Sequence, residues 1–444
     1  MNKFSSEFIF GTATSSYQIE GAYKEGGRGL SIWDTFSRIP GKVINMDNGD
    51  VACDHYHLYE KDIEVLKTLG VDSYRLSIAW PRIFPEQGKY NQAGMDFYKT
   101  LIKRLIENGI KPSVTLYHWD LPMWAHEQGG WTNRESVKWF IEYAEKCFEE
   151  LDDQVDMWIT HNEPWCAGFL GYHQGIHAPG HTNMDEALKA VHHILLSHGE
   201  AVSLLKEKFR SKTPIGITLN LSPMYPVSSS ANDQLAANNA DGYSNRWFLD
   251  PVLKGSYPAD MMNLFSKYVH SYDFIHERDL EKISINCDFF GINFYSRGLV
   301  EFNAASDFLF RNAYSDYPKT GMGWDISPAE FKDLIRRLRK EYTKLPIYIT
   351  ENGAAFDDQV SEDKRVLDPE RQQYVENHIQ AVAELNEEGM NIAGYYLWSL
   401  LDNFEWAFGY EKRFGITYVD FETQERILKD SGYRYAEIIK ERSI

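Results

Sequence analysis

Short apolar runs that end in polar residues recur along the chain, and most lead into a stretch with apolar residues at helical spacing. Residues 8–14 predict a first strand. A helix follows from His55, with Leu58, Ile63, Leu66 and Leu69 at near-helical spacing. Asp54 suits its N-cap and Gly70 its end. Residues 73–80 predict the second strand. The next helix carries Phe97, Leu101 and Leu105 on one face, with Asn91 as expected cap and Asn108-Gly109 as stop. Further strands are expected at 112–117, 155–160, 215–219, 288–295, 345–349 and 392–398, with helices near 136–150 and 185–210.

Eight strand–helix units imply a parallel sheet, and the expected fold is a single (β/α)8 TIM barrel domain spanning residues 1–444. Length alone would suggest two or three domains, but barrels of this kind run longer as one. The stretch before the sixth strand and residues 303–324 are poorly periodic and are expected to form long loops around the mouth of the barrel.

Charge narrows the partners. The 444 residues carry 46 basic and 65 acidic side chains, a formal net charge of −19. That balance argues against nucleic acid and anionic membrane surfaces. Cys53, Cys147, Cys166 and Cys287 are scattered and form no framework, so a reducing compartment is the default. The N-terminus shows no signal-like segment, and no apolar run is long enough to cross a bilayer; the expectation is a cytoplasmic protein. Asn220-Leu221-Ser222 fits a glycosylation acceptor pattern, which without a secretory route reads as strand-end sequence. His55, His57, Cys53 and Asp54 crowd together and His192-His193 adjoin, but no spacing matches a metal site. No glycine-rich phosphate loop follows a strand.

The chemistry lies at two strand ends. Glu351 follows the seventh predicted strand within Ile349-Thr350-Glu351-Asn352-Gly353, where Asn352-Gly353 reads as the turn. Glu163 follows the fourth within His161-Asn162-Glu163-Pro164. Asn-Glu-Pro should occur by chance in about one chain in twenty of this length, and Ile-Thr-Glu-Asn-Gly in only about one in several thousand. Together, and each after a strand, the two strings form a strong signal. Two carboxylates at the C-terminal ends of parallel strands suit glycoside hydrolysis, which needs one as nucleophile and one as proton donor.

These motifs, and the chain from Phe8-Ile9-Phe10-Gly11-Thr12-Ala13-Thr14 to its last helix, resemble glycoside hydrolase family 1, the retaining β-glucosidases and their relatives. The resemblance implies Glu351 as nucleophile and Glu163 as acid/base, with the carboxyl groups about 5–5.5 Å apart. It implies that Arg75 and Tyr295, in the family's strand-end Arg and Asn-Phe-Tyr motifs, keep the nucleophile ionised. A structural ion pair is the alternative for Arg75. Gln18, His118, Asn162, Asn293 and Glu405 match sugar-binding positions, Trp398 and Trp406 the walls of the sugar site, and Trp324 a platform for the leaving group. No cofactor is implied; the implied partner is a small β-glucoside or short cello-oligosaccharide.

Other readings remain. A carbohydrate-binding protein that lost activity would be expected to lack one glutamate, as would a thioglucosidase, yet both are present. A transglycosidase is compatible with every residue. A 6-phospho-β-glucosidase of the same family would carry serine, lysine and tyrosine after the eighth strand; here Glu405, Lys412 and Phe414 stand there, and only Lys412 matches. A carboxylate at Glu405 would repel a phosphate.

Overall fold

The computed structural model describes residues 3–269 and 271–444. Met1 and Asn2, the start of the segment read as lacking a signal, lie outside the described residues. Eight parallel strands close into a barrel in sequential order: β1 (Ile9–Ala13), β2 (Ser73–Ser77), β3 (Lys111–Tyr117), β4 (Met157–Asn162), β5 (Ile215–Asn220), β6 (Phe290–Asn293), β7 (Ile347–Asn352) and β8 (Ile392–Trp398), with β8 returning to β1. The main helices are α1 (His55–Leu69), α2 (Gln92–Glu107), α3 (Glu135–Leu151), α4 (Met184–Ser203), α5 (Ala231–Asp241), α6 (Pro328–Glu341), α7 (Pro369–Glu387) and α8 (Asp430–Glu441). The expected TIM barrel is present. No helix among the described residues is long and apolar enough to cross a membrane.

Alternation along the strands sorts side chains into two cores. Tyr74, Leu76, Trp158, Ile347 and Ile349 face the helices and join the large outer core. Ala13, Met157, Ile159, Phe289, Tyr396 and Trp398 meet inside the barrel, with Tyr348 packed against them. In that inner layer Gly291 is required by close approach: a Cβ there would stand 2.4 Å from Thr218 Oγ1 and 3.1 Å from Thr350 Cγ2.

Several local expectations need correction. Asp54 precedes α1 with a left-handed φ of 50°, and its carboxylate accepts from His57 Nδ1 at 2.5 Å instead of capping the helix. Asn91 likewise donates its amide to the carbonyls of Gly26 and Arg82, so it ties a loop to α2 without capping it. Both positions carry residue types that favour caps, but stronger partners nearby win.

The stretch before the sixth strand is not a plain loop. It contains α5, the short helices Trp247–Lys254, Ala259–Phe265 and Asp279–Ile283, and a strand, Met224–Pro226, that pairs with Gly298–Phe302. The sequence of α5 shows no apolar period because it buries small residues, Ala236, Ala237 and Ala240, against Val300. Residues 303–324 are mainly loop, with one short strand, Phe310–Asn312.

Candidate active site

Two breaks in strand register build the site. On β4, Met157 and Ile159 point into the barrel, and strict alternation would send His161 inward next. The pairing with β5 shifts between Ile159 and Asn162. Thr160 and His161 both turn toward α4, bonding His198 Nδ1 at 2.7 Å and Ser197 Oγ at 2.8 Å. Asn162 therefore points inward, and Glu163 follows it with a left-handed φ of 49°.

The same device acts on β7. Its pairing with β6 shifts between Ile349 and Glu351, and its pairing with β8 shifts between Ile349 and Asn352. Without the bulge, Glu351 would face the helices together with Ile349. With it, both Thr350 and Glu351 reach the barrel interior.

Asn352 is the last strand residue, not the first of a turn. Its amide donates to the Phe294 carbonyl and the Tyr374 hydroxyl, and its oxygen accepts from Tyr395. Gly353 is needed for space: a Cβ would lie 1.7 Å from the Trp398 carbonyl oxygen.

Both glutamates are almost fully buried, and one hydrogen-bond chain joins them. Arg75 Nη1 donates to Glu351 Oε1 at 2.6 Å, and the Tyr295 hydroxyl donates to Oε2 at 2.6 Å. Arg75 Nη2 donates to Asn162 Oδ1 at 2.7 Å. The same oxygen accepts from Asn293 Nδ2 at 3.0 Å, and that amide also donates to Glu163 Oε1 at 2.6 Å. A guanidinium can only donate, so it fixes which end of Asn162 is oxygen, and hence which end of Asn293 is nitrogen. Thr350 supports the same assignment by donating to Asn293 Oδ1 at 2.7 Å. Arg75 is thus the nucleophile candidate's counter-ion inside the site.

Electrostatics separate the two carboxyls. Burial raises the proton affinity of Glu163, and the Glu351 charge raises it further; bonds from Cys166 and Asn293 and the Arg75 charge oppose this. Burial also raises Glu351, against the Arg75 charge and the bonds from Tyr295 and Arg75. The two cannot readily ionise together. Glu351 faces a guanidinium and a phenol, whereas Glu163 faces a neutral amide and a thiol, so the shared proton rests on Glu163.

The predicted sugar-binding residues gather around this pair. Asn162 Nδ2 donates to His118 Nε2 at 3.1 Å, which leaves the proton of the neutral imidazole on Nδ1, where it has no partner in the protein. Burial and the Arg75 charge keep that imidazole uncharged. Trp398 and Trp406 lie nearly parallel to His118, at 5.9 and 6.1 Å between ring centres. Glu405 Oε2 is buried without a partner, and burial first, then the Glu351 charge and any charge on Glu163, pushes Glu405 up to about 8.

Gln18 is more committed than its sequence position suggests. Both amide hydrogens are taken, by Asn403 Oδ1 and the Phe404 carbonyl, while Ser15 donates to its oxygen. It therefore anchors the loop after β8 that carries Glu405 and Trp406, and offers a ligand one remaining lone pair. Trp324 packs on Tyr295 at 5.5 Å and on Phe414 at 6.2 Å, half-exposed beside the nucleophile candidate.

Four contributors escaped the sequence reading: Thr350, Thr218, Trp119 and Cys166. Trp119 has a left-handed φ of 77° and donates from its indole to the Asn162 carbonyl at 2.8 Å. Trp406 is also left-handed, with φ 50°. Left-handed bulky residues mark strain held in place by their surroundings, and here they follow strand ends that meet the site. Among the described residues no group of three or more His, Cys, Asp or Glu side chains is arranged so that it could hold a metal ion. His55 pairs with Asp62, and His57 with Asp54 and Glu25.

Comparison with known proteins bears directly on this arrangement. The family model described as Glycosyl hydrolase family 1 matches residues 1–444. Beta-glucosidase A of Acetivibrio thermocellus is 49% identical over 441 residues, 98% of each chain. The crystal structure of a GH1 beta-glucosidase from Exiguobacterium antarcticum superposes with a TM-score of 0.98 at 71% identity, covering 99% of both chains. A family 1 β-glucosidase from Thermotoga maritima, solved in complex with isofagomine lactam, superposes with a TM-score of 0.96 at 45% identity over 100% of both chains.

Proposed function

The chain belongs to glycosyl hydrolase family 1, and from that premise we infer that it is a retaining β-glucosidase in which Glu351 is the nucleophile and Glu163 the acid/base. The observation that carries the residue roles is the asymmetry of the pair: Arg75 and Tyr295 both donate to Glu351, while Glu163 has only neutral partners. Glu351 attacks the anomeric carbon as Glu163 gives its proton to the departing glycosidic oxygen. The products are a free alcohol and a glucosyl ester on Glu351. The ester removes the Glu351 charge, so Glu163 holds a proton less tightly. It then takes one from water, whose oxygen attacks the same carbon from the face the alcohol left. Glucose departs with its original β configuration.

The ring-binding groups suit an unmodified hexose. His118 supplies an N–H donor, Glu405 a carboxyl with a free oxygen, and Trp398 and Trp406 apolar faces for sugar C–H groups. Asn162 serves the 2-hydroxyl, where contacts strengthen in the transition state. Trp324 serves the leaving group. The whole chain, 1–444, acts as one catalytic unit on small β-glucosides and short cello-oligosaccharides.

Phosphorylated sugars fit poorly, though for a reason the sequence states incompletely. Glu405 is pushed up to about 8, so near neutral pH it is mainly uncharged and repels a phosphate only in part. Lys412, the one matching residue, donates to the Gly321 carbonyl, and Arg413 is engaged with Asp402. Phe414 is buried against Tyr295 and Trp324. A unit-charge pair at about 4 Å with an effective dielectric near 20 is worth roughly 4 kcal/mol, which sets a ceiling of about a thousandfold once Glu405 ionises. The kcat/KM for nitrophenyl β-glucoside should exceed that for its 6-phosphate, and the ratio should widen from pH 6 to pH 9. Protonation of Glu163 affects both substrates and cancels in the ratio. A preference for the 6-phosphate would overturn the substrate assignment.

A further inference from the structure

Cys166 opens the helical segment Cys166–Gln174, three residues after Glu163, and is buried. Its Sγ donates to Glu163 Oε2 at 3.0 Å. The two oxygens of Glu163 thus have one donor each, Asn293 Nδ2 on Oε1 and the thiol on Oε2. The Asn293 N–H can only donate, which favours an unprotonated Oε1, whereas the thiol can turn from donor to acceptor; the proton that Glu163 transfers is therefore assigned to Oε2, the oxygen the thiol touches.

We propose that Cys166 is a positioning residue for the acid/base: its thiol fixes the rotation of the Glu163 carboxyl and sets how tightly Oε2 holds the proton. This rests on the assignment of Glu163 as the acid/base. A thiol suits the task because it can donate weakly to the ionised carboxylate and accept weakly from the protonated acid. A stronger, purely donating partner would favour the carboxylate throughout and hinder protonation of the leaving group. Cys166 itself stays a thiol, since burial and then the Glu163 charge raise it well above the usual range. It is therefore available as a donor at every pH at which Glu163 titrates.

The other groups that act on Glu163 come from the surrounding strands. Glu351 on β7 favours its protonated form; Arg75 on β2 and Asn293 on β6 favour its ionised form. Glu405 after β8, Tyr295 after β6 and neutral His118 after β3 complete the charged or titratable surroundings. The thiol bond acts with Arg75 and Asn293, lowering the affinity for the proton. Removing it should raise that affinity. A general acid works only while protonated, so activity falls as pH rises through its pKa; the upper limb of the profile should then move to higher pH.

Three variants separate this role from packing. Cys166→Ala and Cys166→Val both delete the donor, but valine keeps most of the volume; Cys166→Ser keeps a donor. With phenyl β-glucoside, the upper limb of kcat/KM should move up by about half a unit to one unit in Cys166→Ala and Cys166→Val. In Cys166→Ser it should stay at the wild-type position or fall below it. Equal limbs in wild type, Cys166→Ala and Cys166→Val would overturn the proposal, as would a serine variant that shifts upward like alanine. Glu163→Ala, assayed with dinitrophenyl β-glucoside, should lose the upper limb altogether. If it keeps that limb, the acid/base assignment itself is wrong, an outcome distinct from a limb that vanishes with Glu163 but ignores Cys166.

Discussion

Glu351→Ala should lower kcat on nitrophenyl β-glucoside by about five to six orders of magnitude, the scale seen when an enzyme loses its nucleophile. The loss has two parts. No carboxylate remains to form the glucosyl ester, and Arg75 and Tyr295 lose the group they were oriented to serve. The variant should still bind the sugar ring, because His118, Glu405, Trp398 and Trp406 are untouched. Removing one partner of a buried ion pair is also destabilising, by about 3–5 kcal/mol. Circular dichroism and thermal unfolding should therefore accompany the kinetics, with Glu351→Gln as the variant that retains the hydrogen-bonding shape. The space left by alanine sits on the face opposite the leaving group. Added azide should enter there and give α-glucosyl azide from an activated β-glucoside. A variant with a tenth of wild-type activity and no azide response would show that another group does the attack.

Glu163→Ala should divide substrates by their leaving groups. On an alkyl β-glucoside or cellobiose, where the departing oxygen must be protonated, kcat/KM should fall by about two to four orders of magnitude. On dinitrophenyl β-glucoside the first step should be nearly spared. Release of glucose would then be slow, since no base activates water, and a burst of dinitrophenol should precede a low steady rate. Azide needs no base and should restore turnover, now as β-glucosyl azide. A uniform loss across all leaving groups would mean that Glu163 supports the fold or binds sugar without moving a proton.

Both variants follow from strings that were legible in the sequence, because Ile349-Thr350-Glu351-Asn352-Gly353 and Asn162-Glu163-Pro164 are local. The barrel was legible for a similar reason: fully buried parallel strands leave apolar runs, and 392–398 coincides with β8. What stayed hidden was how each glutamate comes to face inward. The bulges at Thr160-His161 and Thr350-Glu351 arise from pairing between strands far apart in sequence. Nothing in either string announces a shift of register. The roles of Asn352 and Gly353 were misread for the same cause, since a close approach to Trp398 looks in sequence like a turn signal. Gln18 was found as a site residue, but its engagement with Asn403 and Phe404 spans the whole chain. Cys166 carried no sequence signal beyond its spacing of three from Glu163. Between β5 and β6, α5 left no periodic signal because alanines, not large apolar residues, form its buried face, and the other helices there span only five to eight residues, too short to show a period.

The central claim is covalent catalysis on Glu351 with retention of configuration, and trapping the intermediate tests it most directly. Dinitrophenyl 2-deoxy-2-fluoro-β-glucoside carries a leaving group good enough to form the glucosyl ester, while its fluorine slows hydrolysis of that ester. After digestion, the added mass of one fluoroglucosyl unit should lie on the peptide containing Glu351, and fragmentation should place it on that side chain. A label on Glu163, Glu405 or any other residue would contradict the account, as would the absence of any adduct together with an α-configured first product by NMR.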